Sequence, residues 1–120
     1  GVGVVAYAPV GRGFLTGAVH RVEPSDFRAT IERFAGAHLT TNRDRYAPVR
    51  ALAAELGLSP AQLALAWLLH QSPTVVPIPG SRSPEHIREN AAAAARALDP
   101  ETLARVDATL AAITPSGTVS

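Results

Sequence analysis

The sequence predicts an α/β fold of two parallel strands and about four helices, and three observations carry that prediction. Two short apolar, β-rich runs, at residues 2–7 and 74–80, are separated by stretches of helical periodicity and not by a hairpin turn. Three helix starts, at Ser59-Pro60, Ser83-Pro84 and Asp99-Pro100, each pair a side-chain acceptor with a proline at the first helical position. Strands that alternate with helices form parallel sheets joined by right-handed crossovers. Two strands are few for such a sheet. Residues 1–120 are therefore expected to be part of a domain whose other strands lie elsewhere, with Gly1, which is not Met and leads straight into an apolar strand, as a cut end.

The first strand is expected over Val2, Val4, Val5, Ala6 and Tyr7, a nearly continuous apolar pattern that predicts burial on both faces. It runs into "AYAPVGRGFLTG", where a tyrosine, a proline and three glycines crowd together. From Val19 to Asn42 the chain is polar without a clear period and is expected to be a long loop. Tyr46 begins a helix in which Val49, Leu52, Ala53 and Leu56 recur at helical spacing, and Gly57 falls at its left-handed C-terminal cap. The next helix starts at Ser59 with Gln62 completing a capping box, and presents Leu65, Leu68 and Leu69 on one side with Trp67 nearby. The second strand is "TVVPIPG", in which Pro77 and Pro79 must sit at an end or an edge because they cannot donate to a ladder. A helix then runs from Ser83 through "NAAAAARAL", favoured by alanine, and a last one from Asp99 carries Leu103, Val106, Leu110 and Ile113 as an apolar stripe.

Composition narrows the function. Cysteine is absent, which excludes a disulfide framework and a thiolate metal site and makes the cytoplasm the expected compartment. The net charge is +1, and the eleven basic residues, all arginine, are interleaved with acids, so nucleic acid is not an expected partner. No apolar run approaches the roughly 18 residues of a membrane span, and the opening residues lack a signal-peptide layout, so no membrane association is expected. His20, His38 and His70 have no metal-ligand spacing, and no metal site is expected.

The chemistry lies in the loops after the strands, where parallel α/β folds bind ligands. The first offers Gly11 and Gly13, whose bare backbone can approach a pyrophosphate, and Arg12 between them. The second offers Gly80, Ser81 and Arg82 directly before a helix whose free N–H groups and positive dipole end favour a phosphate. His86, Glu89 and Asn90 follow on one face of that helix. A phosphate at the helix tip with a base along its side is a nucleotide geometry. The spacing of "GRGFLTG" matches neither the Rossmann nor the P-loop pattern.

The same residues carry a resemblance. "AYAPVGRGFLTG", "LGLSPAQLALAWLLHQ", "VVPIPGSRSPEHIRENAAA" and "LDPETLARVD" together resemble the C-terminal third of an aldo-keto reductase, over nearly the whole chain. The resemblance implies the C-terminal part of a (β/α)8 barrel, with these strands as its seventh and eighth and the rest of its own barrel as the missing partner. It implies an NADP-dependent enzyme that reduces aldehydes or ketones to alcohols. Tyr7 resembles the aromatic that stacks on the nicotinamide, and Ala8, Val10, Gly11, Arg12 and Gly13 resemble the loop around the pyrophosphate. Ser81 and Arg82, beside Gly80, resemble the 2′-phosphate site, His86 stands where many members carry an arginine, and Glu89 and Asn90 resemble the adenine contacts. Ala8 and Val10 replace the commoner serine and leucine. The family's catalytic tyrosine, lysine, aspartate and histidine lie on earlier elements, and this chain has no lysine, so no catalytic residue is assigned and the isolated chain is expected to be inactive. A non-catalytic NADP-sensing subunit of the same fold and a stand-alone helical interaction module remain alternatives.

Overall fold

A computed structural model describes residues 1–119. Val4–Tyr7 (β1) and Val75–Ile78 (β2) pair in parallel, in register from Val4 opposite Val75 to Tyr7 opposite Ile78. Pro77 sits inside β2, opposite Ala6. That placement is tolerated because β2 pairs on one side only among the described residues, so the missing N–H removes no ladder bond. The expected burial on both strand faces does not hold: Val5 is 63% exposed and Val76 55%. The helices of this chain cover the sheet from one side, chiefly through Pro60–Gln71 (α3) against β2.

Five α-helices stand among the described residues, one more than the periodicity predicts. The additional one, Gly36–Arg45 (α1), lies partly within the expected loop of residues 19–42 and is followed by Ala47–Glu55 (α2), with Tyr46 between them. Short 3-10 turns at Phe27–Thr30 and Glu32–Phe34 occupy more of that segment. Helix α1 has no side-chain cap and buries only Leu39 and Asn42, so its inner face reads as polar in sequence. After α3 and β2 come Pro84–Ala92 (α4) and Pro100–Ala111 (α5). The alanine run does not stay helical to its end, because Ala93–Ala95 tighten into a 3-10 turn and Arg96 is extended. Tertiary contacts override the propensity there: Ala93 is buried, Arg96 reaches the Leu56 carbonyl at the end of α2, and the Leu98 N–H donates to His70 Nε2 at 3.2 Å.

The caps form where the sequence places them. Ser59 accepts from the Gln62 N–H while Gln62 Oε1 accepts from the Ser59 N–H, Ser83 accepts from His86 N–H, and Asp99 from Thr102 N–H. Gly57 takes φ of +68° at the end of α2, the left-handed turn that glycine enters at least cost. The main core joins Val49, Leu52 and Ala53 of α2 to Leu63 and Ala66 of α3 and Val106 of α5, flanked by Leu103, Leu110 and Ile113. Leu63 and Leu65 are the deep leucines of α3, Leu63 against α2 and α5, whereas Leu69 is 38% exposed beside Val76 and Pro77 of β2. A second cluster gathers Phe14, Ile31, Phe34 and Leu39, with Phe14 and Tyr46 edge to face at 5.0 Å.

Candidate functional site

Both strands end on the same side of the sheet, so the loop after β1 and the loop after β2 lie side by side. A groove of about 420 Å³ runs between them, and seven of the residues singled out from sequence line it: Val10, Gly13, Gly80, Ser81, His86, Glu89 and Asn90. Thr16, Ala18, Val19, Ser59, Pro60 and Ala61 complete its walls. The groove therefore spans the first loop, the tip and one face of α4, and the start of α3.

Each wall has a local cause. Ser81 Oγ accepts from the Ser83 N–H at 3.1 Å, which turns the loop into the Ser83 cap and presents the first turn of α4 to the groove. Glu89, one face along α4, accepts a hydrogen bond from the Ser59 hydroxyl, and its carbonyl accepts from Gln62 Nε2 at 3.2 Å. Helix α4 is thus fastened to the N-terminus of α3. Gly11 and Gly13 have φ of +59° and +89°, and a Cβ on Gly13 would come within 3.0 Å of Val19. These two glycines are required by the turn itself. Gly80 differs: its φ is not positive, and a Cβ there would meet nothing within 4 Å. No contact within the chain requires a glycine at that point, where it leaves groove space open.

The remaining residues fall elsewhere. Tyr7, Ala8, Gly11 and Arg12 line a second cavity of about 200 Å³ on the other side of the first loop, together with Phe14, Ile31, Arg33, Phe34 and Val119. Tyr7 is 75% exposed, with its ring free to take a stacking partner. Ala8 and Arg12 both have positive φ, 48° and 57°, a conformation that costs a non-glycine residue about 1–2 kcal/mol and clusters at functional loops. Arg12 is held there by its carbonyl, which accepts from Arg28 Nη1 at 3.1 Å, and by its guanidinium over the Phe27 ring at 5.3 Å. Arg28 is in turn gripped by Asp26 at 2.6 Å, and the Arg28 side-chain hydrogen bond holds the Asp26 carboxyl below its ordinary pKa. Arg82 is exposed, lies outside the groove lining, and makes no hydrogen bond or ion pair among the described residues.

Periodicity alone misses Arg33, Phe34 and Asn42, which sit in the stretch read as a loop. Asn42 is 1% exposed. Its Oδ1 accepts from the Ser116 N–H at 2.7 Å, and its Nδ2 donates to the carbonyls of Ser116 at 2.8 Å and Arg33 at 3.3 Å. The C-terminal tail is thereby bound back over the 32–45 segment, which brings Val119 to the second cavity. The Thr118 N–H donates to Glu32 at 2.9 Å and holds that carboxyl below its ordinary pKa. Two of the histidines outside the groove have other work: His70 Nδ1 donates to the Ala66 carbonyl at 2.7 Å, and His38 Nδ1 pairs with the Ser116 hydroxyl at 2.7 Å.

Two parallel strands whose C-terminal loops share one groove, with a helix tip at its end, have the arrangement that α/β barrels use to bind ligands. The chain belongs to the aldo/keto reductase family, a family of oxidoreductases, whose model matches residues 1–111. Aldo-keto reductase str7 of Strobilurus tenacellus is 38% identical over 109 residues, which are 88% of this chain and 32% of that protein. The glycerol dehydrogenase AKR11B4 from Gluconobacter oxydans superposes with a TM-score of 0.78 at 27% identity, covering 95% of this chain and 36% of that one. The thermostable aldo-keto reductase Tm1743, solved with the inhibitor epalrestat, superposes at 0.59 with 26% identity over 91% of this chain and 30% of its own. The chain spans about a third of the length of these relatives. The expected α/β barrel portion with two parallel strands accordingly stands, and the family is one that uses nicotinamide cofactors.

Proposed function

We propose that this chain supplies the cofactor-binding edge of an NADP-dependent aldo-keto reductase that reduces aldehydes or ketones to alcohols, working with barrel strands outside residues 1–120. The observation that carries the proposal is the 420 Å³ groove in which residues from two distant loops, Val10 with Gly13 and Gly80 with Ser81, meet His86, Glu89 and Asn90 of α4. The fit to a dinucleotide is supported by Gly80, whose missing side chain leaves backbone open to the groove. A bound NADPH supplies the hydride that converts a carbonyl to an alcohol.

The chain's own residues bind and orient. The first turn of α4 offers N–H groups and the positive dipole end to a phosphate, with the Ser81 hydroxyl and the Arg82 guanidinium beside it for the 2′-phosphate. His86, Glu89 and Asn90 offer polar edges to the adenine along the helix face. Tyr7 offers its exposed ring to the nicotinamide, and the turn of Ala8 to Gly13 curves around the pyrophosphate. The acid that protonates the carbonyl oxygen is assigned to no residue of this chain, and the chain alone is inactive on this reading.

Gly80→Val tests the proposal directly. Its backbone needs no glycine and a Cβ there meets nothing within 4 Å, so folding should be unaffected while the side chain fills the groove. NADPH titrated into the full-length protein by quenching of intrinsic fluorescence should bind about tenfold or more weakly in the variant, the scale of an overpacked site. Unchanged affinity at an unchanged melting temperature would remove the groove as the cofactor site.

A further inference from the structure

We infer that the cavity beside Tyr7 is built to hold an anionic oxygen, so that the carbonyl substrate carries a carboxylate, with Arg33 as the specificity-determining residue that receives it and Arg12 in support. The inference rests on the reductase reading above and names the class of its substrate.

Arg12 and Arg33 both line this cavity of about 200 Å³, and no aspartate or glutamate lines it. Neither forms an ion pair among the described residues, whereas Arg28 is paired with Asp26, Arg105 with Glu55 and Arg21 with Glu23. The Arg33 guanidinium lies 5.5 Å from the Phe14 ring and reaches one protein acceptor, the Gly117 carbonyl at 3.4 Å. Its Nε is buried without a partner. Arg43 Nε and Arg50 Nη1 share that condition, but neither residue lines this cavity.

The Arg33 guanidinium is a permanent cation with one long protein hydrogen bond and no acid partner among the described residues, and a carboxylate in the cavity would supply the counter-charge to its reachable end. The planar guanidinium offers two parallel N–H donors, a fork that fits a carboxylate better than a neutral carbonyl. The surrounding walls, Tyr7, Phe14, Ile31 and Phe34, are aromatic or aliphatic, which lowers the local dielectric and strengthens any such pair. They also favour a short apolar or aromatic body between the reacting carbonyl and the acid group. Phosphate oxygens of the cofactor share the same chemistry, and the experiment separates the two sources.

The full-length protein would be assayed with 4-carboxybenzaldehyde and with its methyl ester, which keeps the ring and the aldehyde but loses the charge. The wild type should prefer the carboxylate in kcat/KM by about tenfold or more, and Arg33→Met should lower that value by roughly ten- to a hundredfold while leaving the ester within about twofold. Arg33→Lys should recover part of the loss, and the Kd for NADPH should be unchanged. Equal use of both aldehydes by the wild type overturns the inference, as does an equal loss on both in Arg33→Met. A loss confined to NADPH binding assigns the arginine to the cofactor phosphate and overturns it too. Calorimetric binding of 4-(hydroxymethyl)benzoate without cofactor provides a reading that needs no turnover. If neither aldehyde is reduced, the reductase reading fails, yet binding that Arg33→Met abolishes still upholds the anion site and absence of binding overturns it. Should Arg33→Met not fold, Arg33→Gln, which removes the charge but keeps a donor for the Gly117 carbonyl, carries the same comparison.

Discussion

Replacing Asn42 with alanine should release the C-terminal tail without unfolding the helices. Three hydrogen bonds converge on this side chain, two of them at 2.7 and 2.8 Å to the backbone of Ser116 and one at 3.3 Å to Arg33. At about 1 kcal/mol net for each bond the loss would be about 3 kcal/mol. The freed Ser116 groups lie on a half-buried segment that can turn to water, which caps the penalty for leaving them unpaired. The tail keeps other ties, from Arg45 to the Thr114 carbonyl at 2.7 Å and from the Arg33 N–H to the Thr118 carbonyl at 3.1 Å. A local cost of about 2–3 kcal/mol is therefore expected, and amide exchange at Ser116 should quicken by roughly 30- to 150-fold. Hydrogen exchange read by mass spectrometry on the C-terminal peptide of the full-length protein measures this, with peptides from α3 as internal controls. Asn42→Asp should be no better, because it retains the acceptor for Ser116 N–H but turns a carboxylate toward two carbonyls in a site that is 1% exposed. Unchanged protection of the tail in Asn42→Ala would refute the reasoning, since the clasp would then contribute nothing to holding it.

Three further outcomes are expected. Arg82→Ala should weaken NADPH by roughly ten- to a hundredfold and leave NADH nearly unaffected, read as the ratio of the two Kd values at one salt concentration; an unchanged ratio would detach Arg82 from the 2′-phosphate. Leu63→Ala, at the junction of α2, α3 and α5, should destabilise by about 2–5 kcal/mol in urea unfolding, and a cost below that range would mean the core collapses around the gap. Asp26, Glu32 and Asp99 all have carboxyls held below their ordinary pKa, by Arg28, by the Thr118 backbone and by the Thr102 backbone respectively. A lowered folded pKa gives stability that is present above the unfolded value and lost as pH falls through the folded one, so the urea midpoint should hold from neutral pH to about 4 and drop below it. Asp99→Asn should flatten that drop, and a midpoint independent of pH down to 3 would count against all three carboxylates.

How far the sequence discloses the fold depends on where each element's information lies. Helices α3, α4 and α5 announce themselves because Ser59, Ser83 and Asp99 satisfy free N–H groups within the next few residues, a purely local interaction. The parallel pairing follows from the order of elements, and the glycine loops from the strand ends. Helix α1 is hidden because its organising residue is Asn42, whose partners are Ser116, distant in sequence, and Arg33, in a 3-10 turn outside the helix. A buried asparagine looks like a surface residue to any periodicity argument. Arg33 is hidden for the same reason: an arginine in a polar stretch carries no sign that its neighbours are Tyr7, Phe14 and Phe34. The strands mislead in the other direction, since their apolar pattern predicts two covered faces whereas the described residues cover the sheet from one side.

The start of α3 shows why the groove was easier to read than the cavity beside Tyr7. Ser59 accepts from the Gln62 N–H at 3.1 Å and donates to Glu89, while Gln62 accepts from the Ser59 N–H and donates to the Glu89 carbonyl. The capping box that punctuates one helix is thus also the bracket that fixes the angle of the next, and Ser59, Pro60 and Ala61 form a wall of the groove in consequence. Backbone punctuation and groove shape coincide there, because the hydrogen bonds that start α3 also set one wall of the groove. In the cavity beside Tyr7 the two are separate. Its shape depends on a tail strapped across the chain by one buried amide, and its charge depends on arginines defined by the acids they lack, neither of which any local pattern records.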